Sequence, residues 1–217
     1  MTDDGTAAPT PYIGMRLDAR AVRVLAHPLR SRILSRLRLH GPSTATELAA
    51  ELATNTGATS YHLRALESVG LVADTEEGVG KRRLWRASTD YHEWTDSDFA
   101  GDEDTQTALG WLTRDYVRQL GERAEQWLDV RETWPAEWSD LLGLGDMLVT
   151  VTPEQFAALL GELREVVERY REAGAGDPRA RRIHAYAVAR PVDLRPDDLR
   201  PVDPRPEAEP DAGAGTE

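Results

Sequence analysis

The thirteen residues Thr54 to Leu66, TNTGATSYHLRAL, decide how the rest of the chain is read. Before them stands STATELAAELA, Ser43 to Ala53, which puts Leu48, Ala49 and Leu52 on one side of a helix. The helical pattern breaks at Thr54-Asn55 and resumes in a second helix that runs to Gly70. Two short helices joined by a tight turn, the second polar on one face and apolar on the other, form a helix-turn-helix. Beyond it, LVADTEEGVGKRRLWRA, Leu71 to Ala87, reads as an apolar strand, a glycine-containing turn and a second strand. That is a β-hairpin wing beside the helix pair.

Local chemistry marks each boundary. Thr44 with Glu47 three residues later is a capping box, which satisfies free N–H groups at the start of the first helix. Asn55 suits the N-cap of the second helix, because its side-chain oxygen accepts an N–H of the first turn. Gly70 is placed to take the left-handed conformation that closes a helix. Gly78 and Gly80 are expected to supply positive φ at the hairpin tip.

Helix phase gives the second helix two faces. Thr59, His62, Leu63, Leu66 and Val69 are expected to pack inward. Gly57, Ser60, Tyr61 and Arg64 recur at helical spacing and point outward together. A stripe of small, hydroxyl, aromatic and guanidinium groups suits a DNA major groove, where an arginine forks onto guanine and hydroxyls reach phosphates or base edges. The alternative, a plain solvated face, is the commoner one for an isolated helix; the preceding helix and the basic wing tip the balance toward DNA. The candidate DNA-contacting residues are therefore Thr56, Gly57, Ser60, Tyr61 and Arg64 on the helix, with Lys81, Arg82 and Arg83 on the wing.

Four stretches carry a family resemblance: LAHPLRSRILSRLRLHG from Leu25, TATELAAEL from Thr44, TSYHLRALESVGLV from Thr59 and GVGKRRLWRAS from Gly78. Together, over Leu17 to Ser88, they resemble the winged helix-turn-helix of ArsR-type bacterial transcription regulators. The run Ser60 to Val72 is the most specific part. The resemblance implies a homodimeric regulator that binds promoter DNA. Metal-sensing members place cysteines on the first helix of the motif, whereas the matching residues here, Thr46 to Leu52, read TELAAEL. Metal sensing is therefore not carried over.

At 217 residues the chain suits one or two domains. Zero cysteines exclude disulfides, thiolate ligands and a cysteine nucleophile. With no long apolar run and no leader-like N-terminus, a cytoplasmic protein without a membrane partner is expected. The net charge of −12 opposes nucleic-acid binding only when averaged over the chain. From Arg16 to Glu93 there are 12 basic and 9 acidic residues, a net of +3, so the remainder carries −15. Arg30, Arg32, Arg36 and Arg38 gather on the early helix and Lys81, Arg82 and Arg83 on the wing.

The expected order is a disordered lead over 1–14, the winged helix-turn-helix over 15–95, an acidic linker over 96–104, a dimerisation or effector region over 105–190 and a disordered proline-rich tail over 191–217. Arg16 to His40 is expected to be helical, with His27-Pro28 as N-cap and first helical residue. Thr105 to Arg131 carries Leu109, Leu112, Tyr116, Leu120, Ala124, Trp127 and Leu128 as the stripe of one long helix. The block Leu144 to Ala189 reads strand, helix, strand: Asp146 to Val151, a helix from Thr152-Pro153 with Phe156, Leu159, Leu160, Leu163, Val166, Val167 and Tyr170 on one side, and Ile183 to Val188. The fold class is thus mainly α with a β-hairpin wing, followed by a long helix and a small α/β C-terminal unit. Trp111, Trp127, Trp134 and Trp138 are candidates to line a pocket for a small apolar effector, although tryptophans at helical spacing more often pack in a core.

No catalytic set or cofactor-binding motif is visible, so an enzyme is not expected. The five histidines are scattered without a close ligand pair. His62 reads as a core or interface histidine, and His92 near Glu93, Asp96 and Asp98 is at best a weak carboxylate–histidine site. The reading that follows is a dimeric DNA-binding regulator. Its alternatives are a winged helix that binds protein or RNA, and a small-molecule-binding protein acting through its C-terminal half.

Overall fold

The structure is a computed structural model that describes residues 13–78 and 83–192. The chain divides into two compact units, Thr10–Leu144 and a second formed by Met1–Pro9 with Gly145–Glu217. The expected disordered lead and tail lie outside the described residues except for Ile13, Gly14, Pro191 and Val192.

In the first unit, β1 (Gly14–Arg16) precedes α1 (Ala19–Leu25) and α2 (Pro28–His40). The Asp18 carboxylate caps α1, accepting from the Ala21 amide at 2.7 Å. His27 caps α2 through Nδ1, which accepts from the Leu29 amide at 3.2 Å, with Pro28 at the first position. The segment expected to be helical from Arg16 thus opens with a strand instead. Three residues are too few to show a period of their own. They pair in parallel with β5 (Tyr91–Glu93), in the register Gly14↔Tyr91 and Arg16↔Glu93. A Cβ at position 14 would meet the far end of the Tyr91 ring, which would have to move aside.

The helix pair follows as α3 (Ala45–Glu51) and α4 (Thr56–Glu67). The capping box at Thr44 and Glu47 is formed in both directions, and Asn55 Oδ1 accepts from the Ala58 amide at 2.8 Å. Gly70 takes φ 74° and the buried Leu71 leads into β3 (Val72–Asp74). β3 pairs antiparallel with β4 (Leu84–Ala87), Val72 opposite Ala87 and Asp74 opposite Trp85. A third strand, β2 (Ser43–Thr44), joins the far side of β4, so the sheet order is β2-β4-β3. In the wing turn it is Glu76 that takes positive φ, 62°, while Gly80 lies outside the described residues.

One core joins these elements. Val22 and Leu25 of α1, Ile33, Leu34 and Leu37 of α2, Leu48 of α3, Leu63 and Leu66 of α4 and Trp85 of the wing pack in a single cluster. Each fully buried aliphatic side chain contributes about 1.5–3 kcal/mol, which makes this cluster the main reason the helix pair is held rigid.

The acidic stretch expected as a linker is part of this fold. Asp96–Phe99 forms one 3-10 turn, and Phe99 enters the core with 5% of its surface exposed. Arg16 pairs with Asp98, and Arg23 with Asp102 at 3.0 Å. A single apolar residue anchors a run whose charges find cations some eighty residues earlier in the chain.

The long helix, α5 (Glu103–Val130), is capped by Asp102 and packs against α1. Its buried side runs Thr105, Leu109, Leu112, Asp115 and Gln119, turning polar after Leu112. Asp115 Oδ2 accepts from Ser31 Oγ at 2.8 Å and from Gln119 Nε2 at 2.7 Å, and Arg118 pairs with Oδ1 at 3.1 Å. Leu128 and Val130 at the far end are exposed. The short α6 (Ala136–Ser139) follows.

The second unit holds α7 (Pro153–Tyr170), with a capping box between Thr152 and Gln155 and no buried residue. The two flanking strands expected at Asp146 to Val151 and Ile183 to Val188 are not formed: among the described residues neither segment pairs with another. Met147 is 88% exposed and Val188 72%. Alternating apolar residues mark a surface that is to be half-covered, but a strand also needs a neighbour to take its N–H and C=O groups. Among the described residues the C-terminal unit therefore holds a helix and no strand, rather than an α/β fold.

Candidate nucleic-acid interface

The two faces of α4 are separated as helix phase requires. Thr59, Leu63 and Leu66 are buried on one side. On the other, Thr56, Gly57, Tyr61 and Arg64 are exposed and Ser60 is half-buried. Tyr61 leaves 66% of its surface to solvent, unusual for an aromatic side chain on a helix whose opposite face is core. The Asn55 cap and the Thr59 hydroxyl, which donates to the Asn55 carbonyl at 3.1 Å, fix the first turn on which Thr56 and Gly57 stand. A rigid helix thus presents the Thr56 and Ser60 hydroxyls, one phenol and one guanidinium along a row about two turns long.

His62 lies between the faces. Its ring sits 4.4 Å from that of His27 and meets Tyr61 edge-on at 5.2 Å. Burial is the leading cause that lowers the pKa of both histidines, with the Arg30 charge adding to it. Neutral imidazoles therefore join the start of α2 to the middle of α4. Because Nδ1 of His27 accepts from the Leu29 amide, its proton sits on Nε2.

The basic residues of α2 do not act as a group, contrary to the expectation drawn from their clustering. Arg36 forks onto Glu51 of α3, with Nη2–Oε1 at 2.6 Å. Arg38 turns inward and donates to Thr89 O and Oγ1, both at 2.8 Å, and to Nδ1 of His92 at 2.7 Å. Desolvation lowers its pKa to about 10. Arg30 is half-buried, and only Arg32 of the four is exposed. Spacing on a helix says which side chains share a face, not which of them meet a carboxylate or a carbonyl.

The same contacts correct the reading of His92. Both ring nitrogens are used, Nδ1 by Arg38 and Nε2 by the Tyr116 hydroxyl at 2.7 Å, while Trp94 stacks on the ring at 6.0 Å. Burial first, then the Arg38 charge, hold His92 down at about 3, and burial raises the Tyr116 phenol. Glu93, Asp96 and Asp98 are not its partners in these contacts. Arg38 donates to Nδ1, so the proton is on Nε2 and the ring is a neutral bridge between α2 and α5.

On the wing, Lys81 and Arg82 lie outside the described residues. Arg83 pairs loosely with Asp74, 3.4 Å from Nε, and lies 5.9 Å over the Trp85 ring. More than half of its side chain remains exposed, so the charge is steadied rather than consumed. Arg86, which the sequence analysis passed over, is exposed on β4 beside the buried Trp85. The period-two alternation of a strand was the signal that would have found it.

The four tryptophans do not converge on one pocket. Trp111 packs on the core of the first unit, while Trp127 meets Trp134 edge-on at 5.6 Å. Two open depressions among the described residues, one lined by Arg16, Leu17, Asp98, Phe99 and Asp102 and the other by Glu103, Gln106 and Arg114, include no tryptophan.

A family model described as a helix-turn-helix domain matches residues 25–75, from the end of α1 to just past β3. No curated protein matches the chain. The chain therefore carries a helix-turn-helix domain, and the matched span contains α4 but not β4 or α5. No helix among the described residues is long and apolar enough to cross a membrane.

Proposed function

We propose that this protein is a transcription regulator of ArsR-like type that binds promoter DNA as a homodimer, laying α4 in the major groove and its wing along the flanking phosphates. It acts by binding, without a catalytic step, in the cytoplasm. The observation that carries this reading is the exposed row Thr56, Gly57, Tyr61 and Arg64 on a helix otherwise locked into the core. Hydroxyl, phenol and guanidinium groups in this arrangement suit base edges and phosphates of a major groove. The resemblance of Leu17 to Ser88 to ArsR-type regulators supports the dimer and the promoter. The half of the chain beyond the domain carries the acid, which repels non-specific DNA and sharpens discrimination.

Selection of bound duplexes from random DNA provides the operator, after which Arg64→Ala and Tyr61→Ala are compared with wild type. Both side chains are exposed, so the variants keep their fold. Loss of Arg64 costs about 1–3 kcal/mol of binding and relaxes preference at one base pair. Unchanged affinity and sequence preference in both would remove α4 from the interface; binding to RNA or protein in place of duplex DNA would replace the reading altogether.

A further inference from the structure

Among the described residues, most of the apolar side of α7 is open to solvent, with Phe156 and Leu159 half-buried at its start. Leu160, Leu163, Val166, Val167 and Tyr170 are all exposed although they share one stripe at helical spacing. The arms on either side add Met147, Leu148, Val149, Ile183 and Val188. A standard interface takes about 800 Å² from each partner, more than the stripe of one 18-residue helix supplies, so the arms have to add to the contact. We propose that this surface is the interface with a second copy of the chain, α7 packing antiparallel against α7. This deepens the proposed function, on whose dimer it rests, and names where that dimer forms.

Charge chooses both the partner and the direction. Written as a heptad, α7 has Leu163 and Tyr170 at one core position, Leu159 and Val166 at the other, and Leu160 and Val167 broadening the seam. Glu162 and Arg169 are successive residues at the same flanking position. Both are exposed, and among the described residues neither has an ion-pair partner in its own chain. In an antiparallel pair that sets Leu163 against the partner's Val166, and Leu159 against the partner's Tyr170, Glu162 meets the partner's Arg169. A two-fold axis repeats the contact, so one register gives two ion pairs. Leu160 then faces the partner's Val167, keeping the other edge apolar. A parallel pair in the same register would set the Glu162 carboxylate against the partner's Val167 and leave both charges unpaired. Only the antiparallel arrangement satisfies the sequence on both edges.

The test uses the full-length protein, whose dissociation constant is read by analytical ultracentrifugation across a dilution series. Glu162→Arg and Arg169→Glu each turn two attractions into two repulsions, and each raises the constant about tenfold or more; the double variant returns it to within about threefold of wild type. The chain contains no cysteine, so placed thiols report cleanly. A chain with Glu162→Cys mixed with one carrying Arg169→Cys forms a disulfide-linked heterodimer under mild oxidation, and neither cross-links alone. A wild type that is monomeric at micromolar concentration overturns the inference. So does a dimer indifferent to both reversals, which would place the two-fold axis elsewhere and leave DNA binding by α4 standing. A dimer that responds as expected yet ignores duplex DNA keeps this inference and overturns the proposed function.

Discussion

At the scale of the residue, His92 shows how burial turns a titratable group into a structural one. Its ring is held between Arg38 and Tyr116, and its folded pKa of about 3 lies well below the ordinary value of 6.5. The unfolded chain therefore binds a proton that the folded one refuses. Stability contributed by the neutral ring is fully present above pH 6.5 and is lost progressively as pH falls toward 3. The loss is on the order of 2–4 kcal/mol by pH 4, after allowance for water reaching a ring that is not wholly enclosed. Urea unfolding at pH 7, 6, 5 and 4 checks this against His92→Gln, which keeps a polar side chain but cannot titrate. The variant is less stable at pH 7 and its midpoint falls less steeply between pH 6 and pH 4. Parallel midpoints for the two proteins would mean that His92 is not the proton acceptor. None of this was readable from the residues around it in sequence, where Glu93, Asp96 and Asp98 were the obvious neighbours. Arg38 stands 54 positions away and Tyr116 24.

At the scale of the element, caps and turns were legible and edges were not. Thr44, Glu47, Asn55 and Gly70 each do what their side chains or lack of one allow, because those interactions span at most four residues. Strands β1 and β5 escaped notice because their partners lie 77 residues apart. The acidic stretch from Thr95 to Asp104 looked like a linker by composition, which averages away the one residue that matters. Phe99→Ala provides the check: truncating a buried phenylalanine costs about 3–5 kcal/mol, whereas the same change in a solvated linker costs less than about 0.5. Thermal or urea unfolding of the variant distinguishes the two, and an unchanged midpoint would restore the linker. The same change should also loosen the start of α5, since Asp102, its N-cap, follows three residues later.

For the whole molecule, the prediction concerns how two DNA-binding units share one duplex. Two recognition helices related by a two-fold axis need half-sites about 34–36 Å apart, or a multiple of that distance. The proposed dimer therefore prefers an operator with two such half-sites, and insertion of about five base pairs between them abolishes the advantage. Replacing Arg82 and Arg83 by alanine weakens cognate and unrelated duplexes alike, because phosphate contacts carry no base identity. Each lost contact makes the slope of log affinity against log salt shallower by about 0.9. Arg83 already leans on Asp74, so it contributes less to that slope than a fully free cation would. Salt titrations on the two-half-site duplex and on a single half-site measure all three effects. Equal affinity for one half-site and two would remove the dimer from the DNA-bound state, and parallel salt lines would remove the wing.

The helix-turn-helix was written in the sequence because everything that defines it is local. A period of 3.6 separates Thr59, Leu63 and Leu66 from Gly57, Tyr61 and Arg64, and caps four residues long mark its ends. The hairpin strands followed from alternation and a turn. What the sequence could not decide was the fate of its charges and of its spare apolar residues. Whether an arginine on α2 faces solvent, Glu51 or the ring of His92 depends on which distant segment folds against it. The strands expected around α7 failed for the same reason: an apolar alternation asks for a covering surface, and only tertiary packing says whether one exists. Local rules act over one or two turns of chain. Desolvation and pairing act wherever space brings groups together, and that is settled by the fold.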